Sequence, residues 1–523
     1  MKSHVFIRHN TYRDSMVMMK FQSFLEKIPG VNHCAAIMAT STNKELLKKL
    51  NLLTPDVVDL NSNDLCIVLE ADLNDNSLQD IREQINHFLD NPRMFDKHEQ
   101  GEFKPKSLKS ALKILPAANI VQISVPGEYA TYETMNALDH GLNVFLFSDN
   151  VSIQDEVGMK DSAEKKGLLV MGPDCGTAII SGVGLGFSND VRRGNIGIIG
   201  ASGTGAQEVS CIIHKMGEGV SHVVGTGGRD LLAPVSGKTF MRALDILACD
   251  PATEVIVCIS KKYDATVAGS IVQRAAKIQK PVVVFFPGMR SDVVQSPNIH
   301  FTYHLEHAAL SAVEILHGKK PSPPLDRKTV YQRRRAVIQS ECEKFSPQQL
   351  YIKALLTGGS FAEQANAVLR EFVNPLYSYP SDEHSRPLQN PLTSIENSVI
   401  DLGADFFTHG RVHPMINPKD RNDRIRAELQ DDSVRALLLD VVLGYGSHAD
   451  PAGELSTVIE DGKYVFQQKG NYLSCIVSIC GTENDIQHLA RQKQKLEECG
   501  AIVTDSSSEA AYIAGLIGTG GRG

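Results

Sequence analysis

The chain has 523 residues, 42% hydrophobic and 22% charged, with 41 glycines and no tryptophan. That length exceeds what one hydrophobic core fills, so three or four domains are expected. The net charge of −8 argues against nucleic-acid or acidic-membrane partners, and no apolar run approaches the ~20 residues of a membrane helix.

In chain order, strand-like apolar runs alternate with amphipathic stretches, the mark of parallel α/β sheets. The start, "MKSHVFIRHNTYRDS", lacks the apolar core of a signal peptide, so a cytoplasmic location is expected. An N-terminal α/β unit is expected over residues 1–105, closed by the polar stretch "NPRMFDKHEQGEFKPKS" (91–107). A second unit follows over 106–192. Then comes "NIGIIGASGTGAQEV" (195–209), where Ile196, Ile198 and Ile199 read as a buried strand. Gly200 and Ser202 to Gly205 make a turn, and Ala206 to Met216 a helix. This layout aims backbone N–H groups and the positive end of a helix dipole at one spot. The Pro-rich, then basic, stretch "HGKKPSPPLDRKTVYQRRR" (317–335) reads as a solvated connector, with the linker set at 321–344 between units 193–320 and 345–523.

Those last two units repeat one pattern. The first runs "NIGIIGASGTGAQEV", "SHVVGTGGRDL", "DPATEVIVCISKKYD" and "KPVVVFFPG". The second runs "YIKALLTGGSFAEQA", "NSVIDLGADFF", "DDSVRALLLDVVLGYGS" and "NYLSCIVSICGTE". Two copies of one flavodoxin-like α/β domain are expected.

From about residue 110 onward, the order of motifs resembles the succinyl-CoA synthetase family of NDP-forming acyl-CoA ligases. "ANIVQISVPGEYA", "FSDNVSIQDE", "MGPDCGTAI", "GIIGASGTGAQEV", "VVGTGGRD" and "DPATEVIV" follow the α-subunit's order. "VIDLGADF" and "VRALLLDVVLGYGS" are similar to the C-terminal domain of the β-subunit. The resemblance implies a CoA-binding-like Rossmann domain over 106–192 and two succinyl-CoA synthetase-like, flavodoxin-like domains after it. With "NTYRDS", "FSDNV", "MGPDCGT" and "HPMINP", the whole chain resembles the FdrA family, some of whose members belong to oxamate carbamoyltransferase systems.

The chain also departs from the ligase pattern. In the ligases, a His in a G-H-A-G-A loop carries the phosphoryl group and a Glu in a second loop orients it. Here "ISKKYDA" puts Lys261 and Lys262 where that Glu loop stands, and "FPGMRSDVVQSPNIH" occupies the place of the His loop. Residues 1–105 are too short for an ATP-grasp domain. Residues 1–60 contain no Gly cluster like the one that cradles CoA phosphates in the ligases.

Ser202, Gly203, Thr204 and Gly205 are expected to bind phosphate, with Ser202 capping the helix. Gly444, Tyr445 and Gly446 are expected to converge on the same anion from the second copy, because the ligases use two helix N-termini. The resemblance makes Asp149 an acid–base candidate, and its place at the second helix start makes His448 another. Each has a structural alternative, a surface turn and a capping-region residue, and Asp174 reads equally as a turn former. Arg229, Arg411 and His413 are candidates for a dicarboxylate-like substrate, since arginine pairs carboxylates through two bonds. Val125 and Pro126 mark the strand end that resembles the CoA domain, so CoA is a candidate cofactor. The ten cysteines show no metal-ligand spacing, and no metal ligand set is expected.

The resemblance implies a subunit of a phosphate-dependent acyl or carbamoyl transferase of the oxamate carbamoyltransferase type, joining oxalurate and phosphate to oxamate and carbamoyl phosphate. Phosphate, or an acyl or carbamoyl phosphate, would be its substrate, and further subunits its partners. Two alternatives stand beside this reading: an acyl-CoA synthetase subunit completed by other chains, and a non-catalytic ligand-binding scaffold.

Overall fold

A computed structural model of the protein describes residues 2–13, 15–49, 52–71, 75–90, 105–289 and 294–521. Most of the polar stretch 91–107, and residues 290–293 of "FPGMRSDVVQSPNIH", lie outside the described residues.

The N-terminal unit runs β1 (Lys2–Arg8), α1 (Ser15–Leu25), β2 (Val31–Met38), α2 (Ser41–Lys49), α3 (Pro55–Val58), β3 (Leu65–Ala71) and α4 (Asp75–Asp90). Its sheet, in the order β1-β3-β2, is antiparallel throughout. Next come α5 (Leu108–Ile114), β4 (Ile120–Ile123), α6 (Gly127–Asp139), β5 (Asn143–Leu146), α7 (Ile153–Lys166) and β6 (Val170–Met171). Their sheet, β4-β5-β6, is parallel.

A hairpin of β7 (Thr177–Ile180) and β8 (Val183–Gly186) leads into the first of two larger sheets. That half contains β9 (Arg193–Ala201), α8 (Gly203–Lys215), β10 (Val220–Gly225), α9 (Lys238–Cys249), β11 (Val255–Ser260) and α10 (Ala265–Ala275). It closes with β12 (Val282–Phe285), β13 (Ile299–Phe301) and α11 (Leu305–Leu316). After α12 (Arg327–Cys342), the second half has β14 (Tyr351–Leu356), α13 (Gly359–Leu369), β15 (Tyr377–Tyr379), β16 (Arg386–Pro387) and β17 (Ser398–Asp401). It continues through α14 (Asp405–Thr408), α15 (Lys419–Glu428), β18 (Val434–Val442), α16 (Pro451–Gln468) and β19 (Ser474–Cys480). The chain finishes with α17 (Leu489–Glu498), β20 (Ile502–Thr504) and α18 (Ser507–Gly518).

The first large sheet is ordered β13-β12-β11-β9-β10-β7-β8, and the second β16-β15-β17-β14-β18-β19-β20. Stripped of their edge additions, both have the flavodoxin-like order 2-1-3-4-5, with β9 and β14 as strand 1. Runs such as Val255–Ser260 and Val282–Phe285 are buried at every position, as strands covered on both faces must be. The inner faces of the two sheets share one core. Ile198 and Val209 of the first half cluster with Ile352, Phe361 and Ile513 of the second. Helices α8 and α11 pack there on α13 and α18.

The linker differs from the expected solvated connector. Its basic run lies in α12, which buries Val330 and Ile338 against the second half. Arg334 pairs with Glu509 at 2.9 Å, so the charges of this stretch flank a packed stripe.

Polar contacts also join the halves. Asp485 accepts hydrogen bonds from the Asp190 N–H at 2.8 Å, the Asn189 side-chain amide at 2.8 Å and the Thr482 N–H at 2.7 Å. Glu208 accepts from the N–H and hydroxyl of Ser507 at 2.7 and 2.6 Å, at the start of α18. Asp485→Ala leaves three donors without their acceptor. The expected loss is on the order of 2–4 kcal/mol, read as a lower melting temperature by calorimetry; an unchanged value would mean that this contact does not hold the halves together.

Candidate functional site

The strand–turn–helix at 195–209 forms as its residues dictate. Ser202 is the N-cap of α8, and its hydroxyl accepts from the Gly205 N–H at 3.1 Å. Gly205 has no room for a side chain, since a Cβ would stand 2.5 Å from Ser202 Oγ. The N–H groups of Gly203 and Thr204 precede the first bonded turn and are oriented beyond the end of the helix.

The second half builds the same feature at Thr357–Ser360. Gly358 caps α13, and the first intrahelical donors are Phe361 and Ala362, both to the Gly358 carbonyl. The two helix starts abut. Ser202 Oγ and Ser360 Oγ are hydrogen-bonded across the halves, and a Cβ on Gly358 would lie 3.1 Å from Thr204 Cβ.

Beyond these turns lies a cavity of about 880 Å3. Four parts of the chain wall it: Arg13, Thr40 and Asn43 of the N-terminal unit, the 106–192 unit, and both large halves. The starts of α2, α6 and α7 open on it as well as those of α8 and α13, through Thr40, Pro126, Ser152, Gly203 and Gly359. Such a convergence of helix N-termini favours anions.

Of the residues singled out from the sequence, Val125, Pro126, Asp149, Ser202, Gly203, Thr204, Arg229, Arg411 and His413 line this cavity. Arg229 is already engaged, pairing with Glu156 and donating to the Val151 carbonyl, each at 2.9 Å. Arg411 pairs with Asp420 at 3.1 Å. Asp149 is exposed to the cavity, where loss of bulk water raises its carboxyl above its ordinary range and Asp405 adds to this.

Gly444, Tyr445, Gly446 and His448 stand elsewhere. The Tyr445 N–H donates to the Ser188 carbonyl at 2.8 Å, and a Cβ on Gly444 would lie 2.5 Å from that oxygen. Gly446 packs on the Phe187 ring. Both glycines have positive φ, +109° and +80°, so they serve the backbone path against the first half. His448 lies in the following turn, where its Nδ1 accepts from the Asp450 N–H at 3.1 Å. The turn that meets Gly203 is therefore Thr357–Ser360, and the convergence expected from Gly444–Gly446 is replaced by it. That turn occupies the same place in the second copy that Ala201–Thr204 holds in the first.

Three further residues meet where the helix starts abut. Lys261 follows β11, Asp401 ends β17, and Asp174 lies in the turn after β6. A Cβ on Gly359 would stand 2.8 Å from Asp401 Oδ2 and 3.1 Å from Lys261 Nζ. One on Gly228 would be 3.6 Å from Asp174 Oδ2 and 4.0 Å from the same Nζ. Loss of bulk water pushes both carboxyls up to about 6, Asp401 being buried and Asp174 exposed only into the cavity, while Lys261 pulls the other way on each through space. Burial, and then Lys261, hold His413 down to about 4, so it is neutral near pH 7. Its Nδ1 accepts from the Met415 N–H at 3.2 Å, which places the ring proton on Nε2, near Asp401 Oδ1.

Residues 355–517 match the family described as CoA-ligase, and residues 1–105 one described as AllF, heavy metal-associated domain. Over 516 residues the chain is 39% identical to the uncharacterized protein YahF of Escherichia coli (strain K12), covering 98% of this chain and 97% of that protein. It is 29% identical over 189 residues to the succinate–CoA ligase [ADP-forming] subunit alpha 2 of Archaeoglobus fulgidus, a match of 35% of this chain and 63% of that subunit. Among solved structures, the dinucleotide forming acetyl-coenzyme A synthetase 1 of Ca. Korarchaeum cryptofilum aligns with a TM-score of 0.28 and 15% identity, over 77% of this chain and 83% of that one.

Among its described residues the N-terminal unit brings no metal ligands together to go with that description. Cys34 is buried with Met18 and Phe21, and Cys66 with Leu47 and Val57, so the two thiols belong to separate cores. The described residues contain no group of three or more His, Cys, Asp or Glu placed to hold a metal ion.

The raised Asp401 carboxyl has a consequence for stability. With its value near 6, the folded protein holds this proton more tightly than the unfolded chain, so ionisation weakens the fold. The penalty is full above pH 6 and fades as the pH falls toward 4. Asp401→Asn is expected to stabilise the protein at pH 8 by on the order of 2 kcal/mol, with about half that gain at pH 5. Melting temperatures at the two pH values check this, and equal shifts at both would contradict it.

Proposed function

Because the chain belongs to the YahF family and its C-terminal half carries a CoA-ligase domain, we propose that it binds a phosphate-type anion between the starts of α8 and α13. We read it as a subunit of an enzyme that transfers an acyl or carbamoyl group to phosphate, of the oxamate carbamoyltransferase type. The observation that carries this reading is the abutment of Gly203–Thr204 and Gly359–Ser360, with Lys261 beside them. Their N–H groups suit a phosphate held in place while it reacts.

In this reading, oxalurate and phosphate become oxamate and carbamoyl phosphate. A phosphate oxygen bonds to the carbamoyl carbon as that carbon's bond to the amide nitrogen breaks. Such a step needs two anions positioned and a developing oxyanion neutralised. It needs no phosphorylated side chain. His413, the histidine at the cavity, supports this: its Nε2, the nitrogen near the cluster, carries the proton and has no free lone pair for attack.

The ligase relatives also raise CoA and a nucleotide. Val125 and Pro126 line the cavity, but the described residues of the N-terminal unit form an antiparallel sheet, and residues 1–60 carry no glycine cluster like the one that holds CoA phosphates in the ligases. CoA therefore enters no step here. The acyl-CoA synthetase alternative remains a distinct outcome of the tests.

Calorimetry with inorganic phosphate is expected to show binding by the full chain. Gly203→Val and Gly359→Val should each weaken it ~100-fold or more, since each removes charge-assisted N–H contacts of ~1.5–3 kcal/mol. Undiminished affinity in folded variants would reduce the turns to connectors. Incubation with γ-labelled ATP should leave no acid-labile phosphate on the chain; stoichiometric label on His413, together with tight CoA binding, would establish the synthetase reading instead.

A further inference from the structure

Asp401 presents its two carboxylate oxygens to different surroundings. Oδ1 accepts the Gly403 N–H at 2.9 Å, which fixes the side chain at the end of β17. Oδ2 lies at the start of α13, 2.8 Å from where a Cβ on Gly359 would stand, and Lys261 Nζ is 3.1 Å from the same point. The carboxyl and the ammonium come from opposite halves and flank the N–H groups read above as the anion site. The Asp401 side chain is fixed and 93% removed from solvent, as its residue is 7% exposed.

The charged and titratable groups facing Asp401 come from every side. Lys261 and Lys262 follow β11, Asp440 lies on β18 and Glu363 on α13. His413 approaches Oδ1, and Tyr379 lies on β15. A dianion entering beside Lys261 offsets the cations that favour the carboxylate. It also brings an acceptor that a neutral carboxyl, but not a carboxylate, can hydrogen-bond.

We propose that Asp401 is the group that carries the proton through the transfer step, and that it takes up that proton when a dianion binds beside Lys261. This rests on the phosphate-transfer reading and adds to it the acid and the base. As the C–O bond forms and the C–N bond breaks, the departing nitrogen requires a proton and the attacking hydrogen phosphate must lose one. Neutral Asp401 gives its proton to the nitrogen, and the resulting carboxylate takes the proton from phosphate. The group ends as it began, so no outside acid or base is consumed. Lys261 neutralises charge on the phosphate oxygens.

The test is calorimetry of the full chain with sulfate, which stays a dianion across the range used, in two buffers of different ionisation heat. About one proton should be taken up per sulfate at pH 7, and almost none at pH 5, where the carboxyl is already loaded. Asp401→Asn should abolish the uptake while sulfate affinity stays within about threefold or tightens. Lys261→Met should weaken sulfate by about tenfold or more, and Asp174→Asn should leave the uptake in place. A merely structural Asp401 would not move the proton count. Sulfate binding without uptake, or uptake that survives in Asp401→Asn or vanishes in Asp174→Asn, would overturn the proton role while sparing the anion site. If the unmodified chain binds neither sulfate nor phosphate, the anion site fails and the proton role fails with it.

Discussion

The Asp440 carboxylate accepts hydrogen bonds from the Thr357 N–H at 2.8 Å, the Thr357 hydroxyl at 2.9 Å and the Gly358 N–H at 2.9 Å. Those contacts tie the turn before α13 to the neighbouring strand β18. Beneath it, the buried Arg421 guanidinium donates to the Asp440 carbonyl at 2.9 Å, and its charge opposes the rise that burial imposes on the carboxyl. A buried acid held by so few partners is a costly arrangement. Its effect is positional: with the turn fixed, α13 begins where α8 begins, and the cavity has two helix ends in place of one.

The cavity then combines opposite tendencies. Five helix starts and Lys261 favour negative charge, while Asp149, Asp174, Asp401 and Asp405 stand around the same space. Loss of bulk water around the cavity resolves the conflict by moving Asp174 and Asp401 toward their neutral forms. The site thereby holds groups that change charge within the range where proteins work, beside N–H groups that never do. In the proposed reading fixed donors bind and titrating carboxyls respond, so that the two tasks fall to different atoms.

Much of this was legible in the residues. The β-branched runs and the turn at 200–205 announced β9, α8 and its cap, and the repeated landmarks announced two sheets of one topology. The partner turn was misplaced because "VLGYGS" ends a strong apolar run and is dense in glycine, whereas "LTGGS" carries the same information more quietly. Position within the repeat decides between them: "LTGGS" follows strand 1, as "GASGT" does, and "LGYGS" follows strand 3. Lys261 was visible only as the loss of an acid, and the chemistry of its replacement depends on Asp401, about 140 positions away in sequence. The N-terminal unit gave no hint of its place at the cavity. Arg13, Thr40 and Asn43 reach it with the unit held in place by contacts such as those from Asn417 and Lys419 of the second half to Glu26 and Asn32, at 2.9 and 2.8 Å.

In the ligases that this chain resembles, paired helix ends come from separate subunits, so such a site exists only while those subunits are associated. Here both turns, the lysine and the carboxyls belong to one polypeptide, joined through α12. Each half meets the other at an effective concentration set by that tether. Dilution cannot take the pocket apart, and its formation is first order in the chain.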